Sequence, residues 1–405
     1  MFRGYVVMMC CFCTTMSFGI IYSYGEFFVP LQQQFGWGAV ADSTIPALAL
    51  ITFSLGAMVG GFLVNRLGNR RLSVVGALLA GSGTMLSGFI NQYSQLLVLF
   101  GVAASLGASF VVIVGTTLVV KWFVKNRGIA VGIMASGSGM GTLLVPPIAA
   151  YLILQYGWRI TFFIIGTAFL VLLLVASYYI QTPEERDMKP LGWSATSEAR
   201  LESIEISGVK QALSSRSFWL IYVLFFLGSL VATMFLIHAP NLLESRGMSK
   251  FLGAEAIGAF GAGSLISRIV IGRVSDTIDR SRTVIIAYAS EFVGISALPF
   301  VVALPIPFLL SAFAIGFGYG GFLSDFIALT GDLFGSKSVS TIWGISETAY
   351  GLGGLLGPII AGAYFESFNS YTGVFEVGGC LAALALAIAV IFSRHVRPII
   401  MRQMV

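Results

Sequence analysis

Gly61-Phe-Leu-Val-Asn65-Arg66-Leu-Gly-Asn-Arg70-Arg71 returns, about 210 residues later, as Gly272-Arg-Val-Ser-Asp276-Thr-Ile-Asp-Arg280-Ser-Arg282. Two more pairs keep nearly the same offset. Val29-Pro-Leu-Gln-Gln-Gln-Phe-Gly36 matches Ala239-Pro-Asn-Leu-Leu-Glu-Ser-Arg-Gly247, and Gly132 with Pro146 matches Gly344 with Pro358. A chain that repeats itself this way predicts two halves in the same orientation, related by an axis along the membrane normal, with a substrate site expected near the midplane between them.

The repeat lies in a strongly apolar chain. Of 405 residues, 57% are hydrophobic and 10% charged, and 48 are glycine, with a mean hydropathy of +0.91. A soluble domain carries about 25% charged residues, which excludes that class. At about 20 residues per crossing, the apolar runs predict roughly 12 membrane helices. They begin near Tyr5, Ser43, Ser73, Gln95, Gly128, Trp158, Phe218, Leu252, Thr283, Ile306, Val339 and Gly373. The first run lacks a small-residue cleavage site and continues to Val29-Pro30, so it reads as a retained helix. The expected architecture is all-α, with six-helix bundles over 1–181 and 217–405 joined by a polar linker over 182–216. That linker carries Glu184, Glu185, Asp187, Glu198, Glu202 and Glu205 among several basic residues.

Basic residues alternate from loop to loop. Arg66, Arg70, Arg71, Lys121, Lys125, Arg127, the linker, Arg273, Arg280, Arg282, Lys337 and the tail from Arg394 to Arg402 fall on one side, whereas Arg159, Arg246 and Lys250 fall on the other. Both termini are then expected in the cytoplasm, in an inner or plasma membrane. The net charge of +5 is spread over short loops and gives no nucleic-acid surface. Cys10, Cys11, Cys13 and Cys380 all lie in apolar helix and read as small buried hydrophobes. Neither a metal site nor a cofactor is expected.

Arg268 sits inside Gly261-Ala-Gly-Ser-Leu-Ile-Ser-Arg268-Ile-Val-Ile-Gly-Arg-Val-Ser-Asp276, which is otherwise apolar enough to lie in lipid. A cation at membrane depth costs at least about 2.5–3.5 kcal/mol, and normally faces a bundle interior or a water-filled cavity and meets an anion. Arg268 is therefore the candidate ligand for the carboxylate of a small transported acid. The alternative is a side chain that snorkels to the headgroups. Arg268 stands about 12 Å from Asp276 at the expected helix end, whereas Arg273 already occupies the snorkelling position.

The Gly-x-Leu-x-Asn-Arg-x-Gly-x-Arg-Arg run resembles the loop signature of the major facilitator superfamily. In that pattern a glycine turn presents basic residues to helix ends and acidic partners, so the resemblance implies a conformational latch formed by Asn65, Arg66, Arg70, Asp276 and Arg280. Asn65 stands where the family usually has aspartate; Asp276 keeps the acid in the second half. The run from Lys121 through Gly132, Ser136, Gly137, Gly139 and Gly141 to Pro146-Pro147 and Gly157-Trp-Arg159 resembles the monocarboxylate transporter and oxalate/formate antiporter branch, including its bacterial members. The runs Gly316 to Gly335 and Trp343 to Pro358 resemble the same branch, and the likeness covers essentially the whole chain.

The resemblance places Arg268 at the arginine that holds substrate carboxylate. It also marks three departures. Ser264 replaces an aspartate one turn earlier. The first-helix lysine is missing, with Tyr22, Ser23, Tyr24, Gly25 and Glu26 nearby. Tyr350 fills the slot of the second cation used by oxalate/formate relatives. One cation neutralises a monoanion, and a dianion in low dielectric needs two, so Arg268 with Tyr350 points to a monocarboxylate. Tyr319 and Tyr350 read either as hydroxyl donors to substrate or as rings packed between helices, and Tyr22 and Ser264 complete the expected binding set. Glu26, His238, Glu291, Asp325 and Glu347 are candidate proton carriers, with Asp325 and Glu347 preferred.

The expected function is alternating-access transport of a lactate- or pyruvate-like acid with a proton, by a monomeric unit in membrane lipid. Carboxylate exchange is the alternative. A membrane enzyme would need a catalytic constellation, and no Ser/His/Asp set or His-Glu metal motif stands among the residues, which include two histidines.

Overall fold

The computed structural model describes residues 2–37, 39–193, 208–248, 250–335 and 338–404. Lys337 and residues 194–207, which include Glu198, Glu202 and Glu205 of the expected linker, lie outside the described residues. Among those described, eleven helices are long and apolar enough to cross a membrane. One of these, Arg127–Tyr179, has 53 residues. At 1.5 Å per residue it would run about 80 Å, far beyond a hydrocarbon core of about 30 Å. It breaks at Gly157, whose φ of 78° and ψ of 163° leave the helix, and so supplies two crossings, for twelve in all.

In chain order the crossings are α1 (Arg3–Phe35), α2 (Ala39–Leu67), α3 (Asn69–Leu86), α4 (Tyr93–Trp122), α5 (127–156) and α6 (158–179). After the linker come α7 (Arg216–Ser245), α8 (Lys250–Ser275), α9 (Arg280–Val301), α10 (Pro305–Phe334), α11 (Val339–Phe368) and α12 (Tyr371–Met404). α1 consists of three pieces, Arg3–Thr15, Phe18–Tyr22 and Tyr24–Phe35. The hydroxyls of Thr14, Ser17 and Ser23 donate to carbonyls three residues earlier, and such back-bonding bends a helix.

The described chain divides into two compact units. The first comprises Met1–Lys125, Met134–Trp193 and Ser340–Thr348. In it, α1 meets α5 through glycines: a Cβ at Gly137 would strike Phe12 and Thr15, and one at Gly141 would strike the Met16 carbonyl. The Thr15 hydroxyl donates to the Met134 carbonyl at 2.7 Å. Lipid tails are as apolar as leucine, so small residues that let backbones approach hold such helices together. Aromatic rings close the other end, where Phe27 stacks on Phe162 at 3.8 Å and Trp158 donates to Gln34.

The second unit comprises Asn126–Ile133, Ser194–Val339 and Ala349–Val405. Its centre is α8, gripped on two sides. Against α10, a Cβ at Gly263 would meet the Phe313 carbonyl, one at Gly316 the Phe260 carbonyl, and one at Gly320 the Ser264 carbonyl and the Ser267 hydroxyl. Against the first turns of α5, Gly128 faces the Gly272 carbonyl and Gly132 the Arg268 carbonyl. The residues Ala262, Ile266, Ile269, Val270 and Arg273 form the exposed stripe of α8, at helical spacing.

The α8–α10 contact makes opposite predictions for two glycines of similar sequence context. Gly320→Val puts side chain onto backbone, and overpacking of this kind costs about 1–3 kcal/mol. Gly261→Ala meets nothing within 4 Å and should gain up to about 1 kcal/mol from helix propensity. Thermal melting of the purified variants in detergent should show Gly320→Val well below wild type and Gly261→Ala level with it or above.

Candidate functional site

Arg268 is 4% exposed. It lies on the face of α8 opposite Ile266, Ile269 and Val270, the same face that carries Ser264 and Ser267. Ser267 donates its hydroxyl to the Ser264 carbonyl at 3.1 Å. Tyr319, on α10 beside the glycine that touches Ser264, is buried with its ring 5.5 Å from Phe260 and 5.6 Å from Phe322. Tyr350, on α11, stacks on Phe225 of α7 at 5.9 Å. Arg268, Ser264, Tyr319 and Tyr350 therefore all belong to the second unit and are all buried there. Tyr22 belongs to the first unit and is exposed beside Phe18.

At the Asp276 end of α8 the second unit holds a compact ionic network. Asp276 accepts the backbone N–H of Gly128 at 2.8 Å through one carboxylate oxygen and that of Ile129 at 2.9 Å through the other. The first N–H groups of a helix have no partner within it, and an aspartate there meets both their hydrogen-bonding need and the positive end of the dipole. Arg280 donates to the same carboxylate at 2.9 Å. Its other terminal nitrogen donates to Asp332, which also accepts from Arg127. Asp279 caps α9 by accepting from Ser281 N at 3.2 Å. Arg127 and Asp332 complete the network unforeseen: the first reads in sequence as one more loop charge, the second as one polar residue near the end of an apolar run. Their pairing spans 205 residues, and only the fold reveals it.

The first unit repeats the arrangement without the charge. Asn65 donates its amide to the Thr341 hydroxyl at 3.0 Å, and Thr341 donates to the Gly61 carbonyl at 3.0 Å. Asn65 thus stands at the start of α11 as Asp276 stands at the start of α5. Gly68, with φ of 80°, makes the turn that follows. Arg66 is exposed, and Arg70, also exposed, lies with its guanidinium 4.9 Å from the Tyr178 ring.

The titratable candidates are scattered. Glu26 is exposed on α1. Glu347 is buried in the first unit beside the Trp343 indole one turn earlier. In the second unit, His238 is half-buried with Nε2 at 3.2 Å from the Pro358 carbonyl. Asp325 and Glu291 are 1% and 0% exposed, and their carboxylate oxygens find no hydrogen-bond donor.

The family model of the Major Facilitator Superfamily matches residues 7–304 and 255–400. The chain belongs to the major facilitator superfamily. Monocarboxylate transporter 12 of Xenopus laevis is 26% identical to this facilitator over 413 residues, covering 96% of the chain and 89% of the relative. Human monocarboxylate transporter 11 is 26% identical over 396 residues, covering 93% and 80%. These relatives place the facilitator in the monocarboxylate transporter branch. Among solved structures, the proton:xylose symporter XylE bound to 6-bromo-6-deoxy-D-glucose superposes with a TM-score of 0.73 at 16% identity, over 95% of the chain and 94% of XylE; that likeness is one of fold. The facilitator is a multi-pass membrane transport protein and not an enzyme.

The two helix-start contacts predict an asymmetric mutational response. Asp276→Asn removes the charge facing Arg280 and two N–H groups, and should destabilise by about 1–3 kcal/mol. Asn65→Asp adds an anion at a helix N-terminus, which is worth about 0.3–1 kcal/mol. Denaturant or thermal unfolding of the two variants should move in opposite directions from wild type.

Proposed function

We propose that this facilitator is a secondary active transporter of small monocarboxylates, lactate- or pyruvate-like, in which Arg268 binds the carboxylate. The reading is carried by one observation, the burial of Arg268 on the face of α8 turned away from the exposed apolar stripe. Guanidinium suits the role because it stays charged and offers a planar fork of donors to two oxygens. Hydroxyl-bearing Ser264 and Tyr319 lie on the elements around it, and Tyr350 supplies no second positive charge. A single cation matches a single carboxylate. The names of the monocarboxylate transporter relatives support the same substrate class.

In this proposal transport proceeds by alternating access, and the helix-start contacts of Asp276 and Asn65 act as the latch, with Arg66, Arg70 and Arg280. The bundles comprise 1–181 and 217–405, joined through 182–216. The unit works as a monomer in an inner or plasma membrane, with both termini in the cytoplasm, a placement supported by the distribution of basic loops. A proton accompanies the acid, so that the monoanion crosses without net charge. Asp325 and Glu347 are the preferred carriers because both are buried, ahead of Glu26 and His238.

Uptake of labelled lactate into proteoliposomes under an imposed pH gradient tests this reading. Removing one partner of a buried charged pair costs about 2–5 kcal/mol, so Arg268→Ala should lose on the order of a hundredfold or more in uptake. Arg268→Lys keeps the charge but loses the fork, and should fail as well. Wild-type uptake by both variants, each verified as folded by gel filtration, contradicts the clamp. Counterflow without any response to the pH gradient would indicate exchange in place of proton symport.

A further inference from the structure

The network at the Asp276 end of α8 has a charge imbalance. Asp325 lies two turns before Asp332 on α10, the same helix that brings Asp332 to Arg280. Counted together, Asp276, Asp325 and Asp332 face Arg127 and Arg280, three carboxyls to two guanidiniums. Arg280 already directs one terminal nitrogen to Asp276 and the other to Asp332.

Asp325 is surrounded by two charged groups, two hydroxyls and aromatic rings. From α8 come Ser275 and Asp276, and from α9 come Arg280 and Thr283. Ser275 gives its hydrogen to the Gly272 carbonyl at 3.0 Å, and Thr283 gives its hydrogen to the Arg280 carbonyl at 2.9 Å. Both hydroxyls thus give their hydrogens to backbone carbonyls, and neither carboxyl oxygen of Asp325 has a hydrogen-bond partner among the described residues. α7 and α12 bring Phe225 and Phe392 against the adjoining Phe326. An ionised Asp325 would be a buried anion with no donor. A neutral Asp325 avoids the cost of an uncompensated buried charge, which far exceeds that of burying a neutral polar group.

We infer that Asp325 is a proton-binding site wired to the latch through Arg280. With its proton the network is neutral, and Arg280 is held by Asp276 and Asp332 alone. On loss of the proton a third carboxylate competes for Arg280 and repels the other two, which loosens Asp276 from the N–H groups of Gly128 and Ile129. Proton binding at Asp325 and capping of α5 by Asp276 thus stabilise each other, as linkage requires. This gives the proton half of the proposed symport a site distinct from Arg268. It rests on that reading only for its physiological use.

Hydrogen exchange of the peptide covering 126–133, in purified full-length protein without substrate, tests the link, because the amides of Gly128 and Ile129 have no intrahelical acceptor. Rates are taken at about pH 6 and about pH 8 and corrected for intrinsic exchange. Wild type should lose protection by on the order of tenfold at the higher pH, the equivalent of one unit of differential proton affinity. Asp325→Asn should stay protected at both pH values, and Asp276→Asn, which removes the carboxylate that accepts both N–H groups, should be unprotected at both. Asp325→Ser, another uncharged replacement, serves if the asparagine variant does not fold. A wild-type pH response in either Asp325 variant, or no response in wild type, overturns the inference. The measurement contains no carboxylate ligand, so its failure is separate from failure of the Arg268 clamp.

Discussion

A guanidinium held inside an apolar helix constrains the second unit. Placing Arg268 in hydrocarbon costs at least about 2.5–3.5 kcal/mol, so the surrounding helices must keep it out of lipid. They do so by close backbone contact. Gly132 on one side of α8 and Gly316 and Gly320 on the other let neighbouring helices reach the carbonyls of Arg268, Phe260 and Ser264. Side chains larger than hydrogen at these points would rotate or displace α8. The glycines are thus structural in themselves and, on the proposed function, serve the site through the arginine they orient.

The internal repeat extends from sequence into local chemistry. Asp276 and Asn65 occupy equivalent places and do equivalent work, each holding the start of a helix from a distant part of the chain. The first uses a carboxylate on two N–H groups and a guanidinium, the second an amide on one hydroxyl. One helix start therefore responds to ionic strength and charge, and the other is neutral. The two halves thus share a geometry and differ in electrostatics. On the proposed function, proton sensitivity belongs to the charged half.

Much of the fold was legible in the sequence because hydropathy and repetition report directly on what lipid requires. The apolar runs gave the crossings, and Gly157-Trp158 marked the division between α5 and α6 even though the helix continues with only one residue out of conformation. The breaks in α1 were hidden, since Ser17 and Ser23 in an apolar run look like any other small polar residues. The position of Arg268 away from the exposed stripe follows from the spacing of Ile266, Ile269 and Val270, whereas the glycine grip on α8 does not. Arg127 and Asp332 were illegible as partners because an ion pair between remote segments leaves no local pattern. Asp325 stood out as an acid in an apolar helix, but the absence of a donor for its buried oxygens depends on packing between helices that leaves no local pattern.

Binding of a carboxylate by the buried Arg268 is the claim on which the functional account stands. Calorimetric titration of the purified facilitator with lactate and with its neutral amide, in wild type and in Arg268→Gln, tests it most directly. The account predicts saturable heat for lactate with wild type, none for the amide, and none for either ligand with the variant. Equal affinity of wild type and Arg268→Gln for lactate would contradict it.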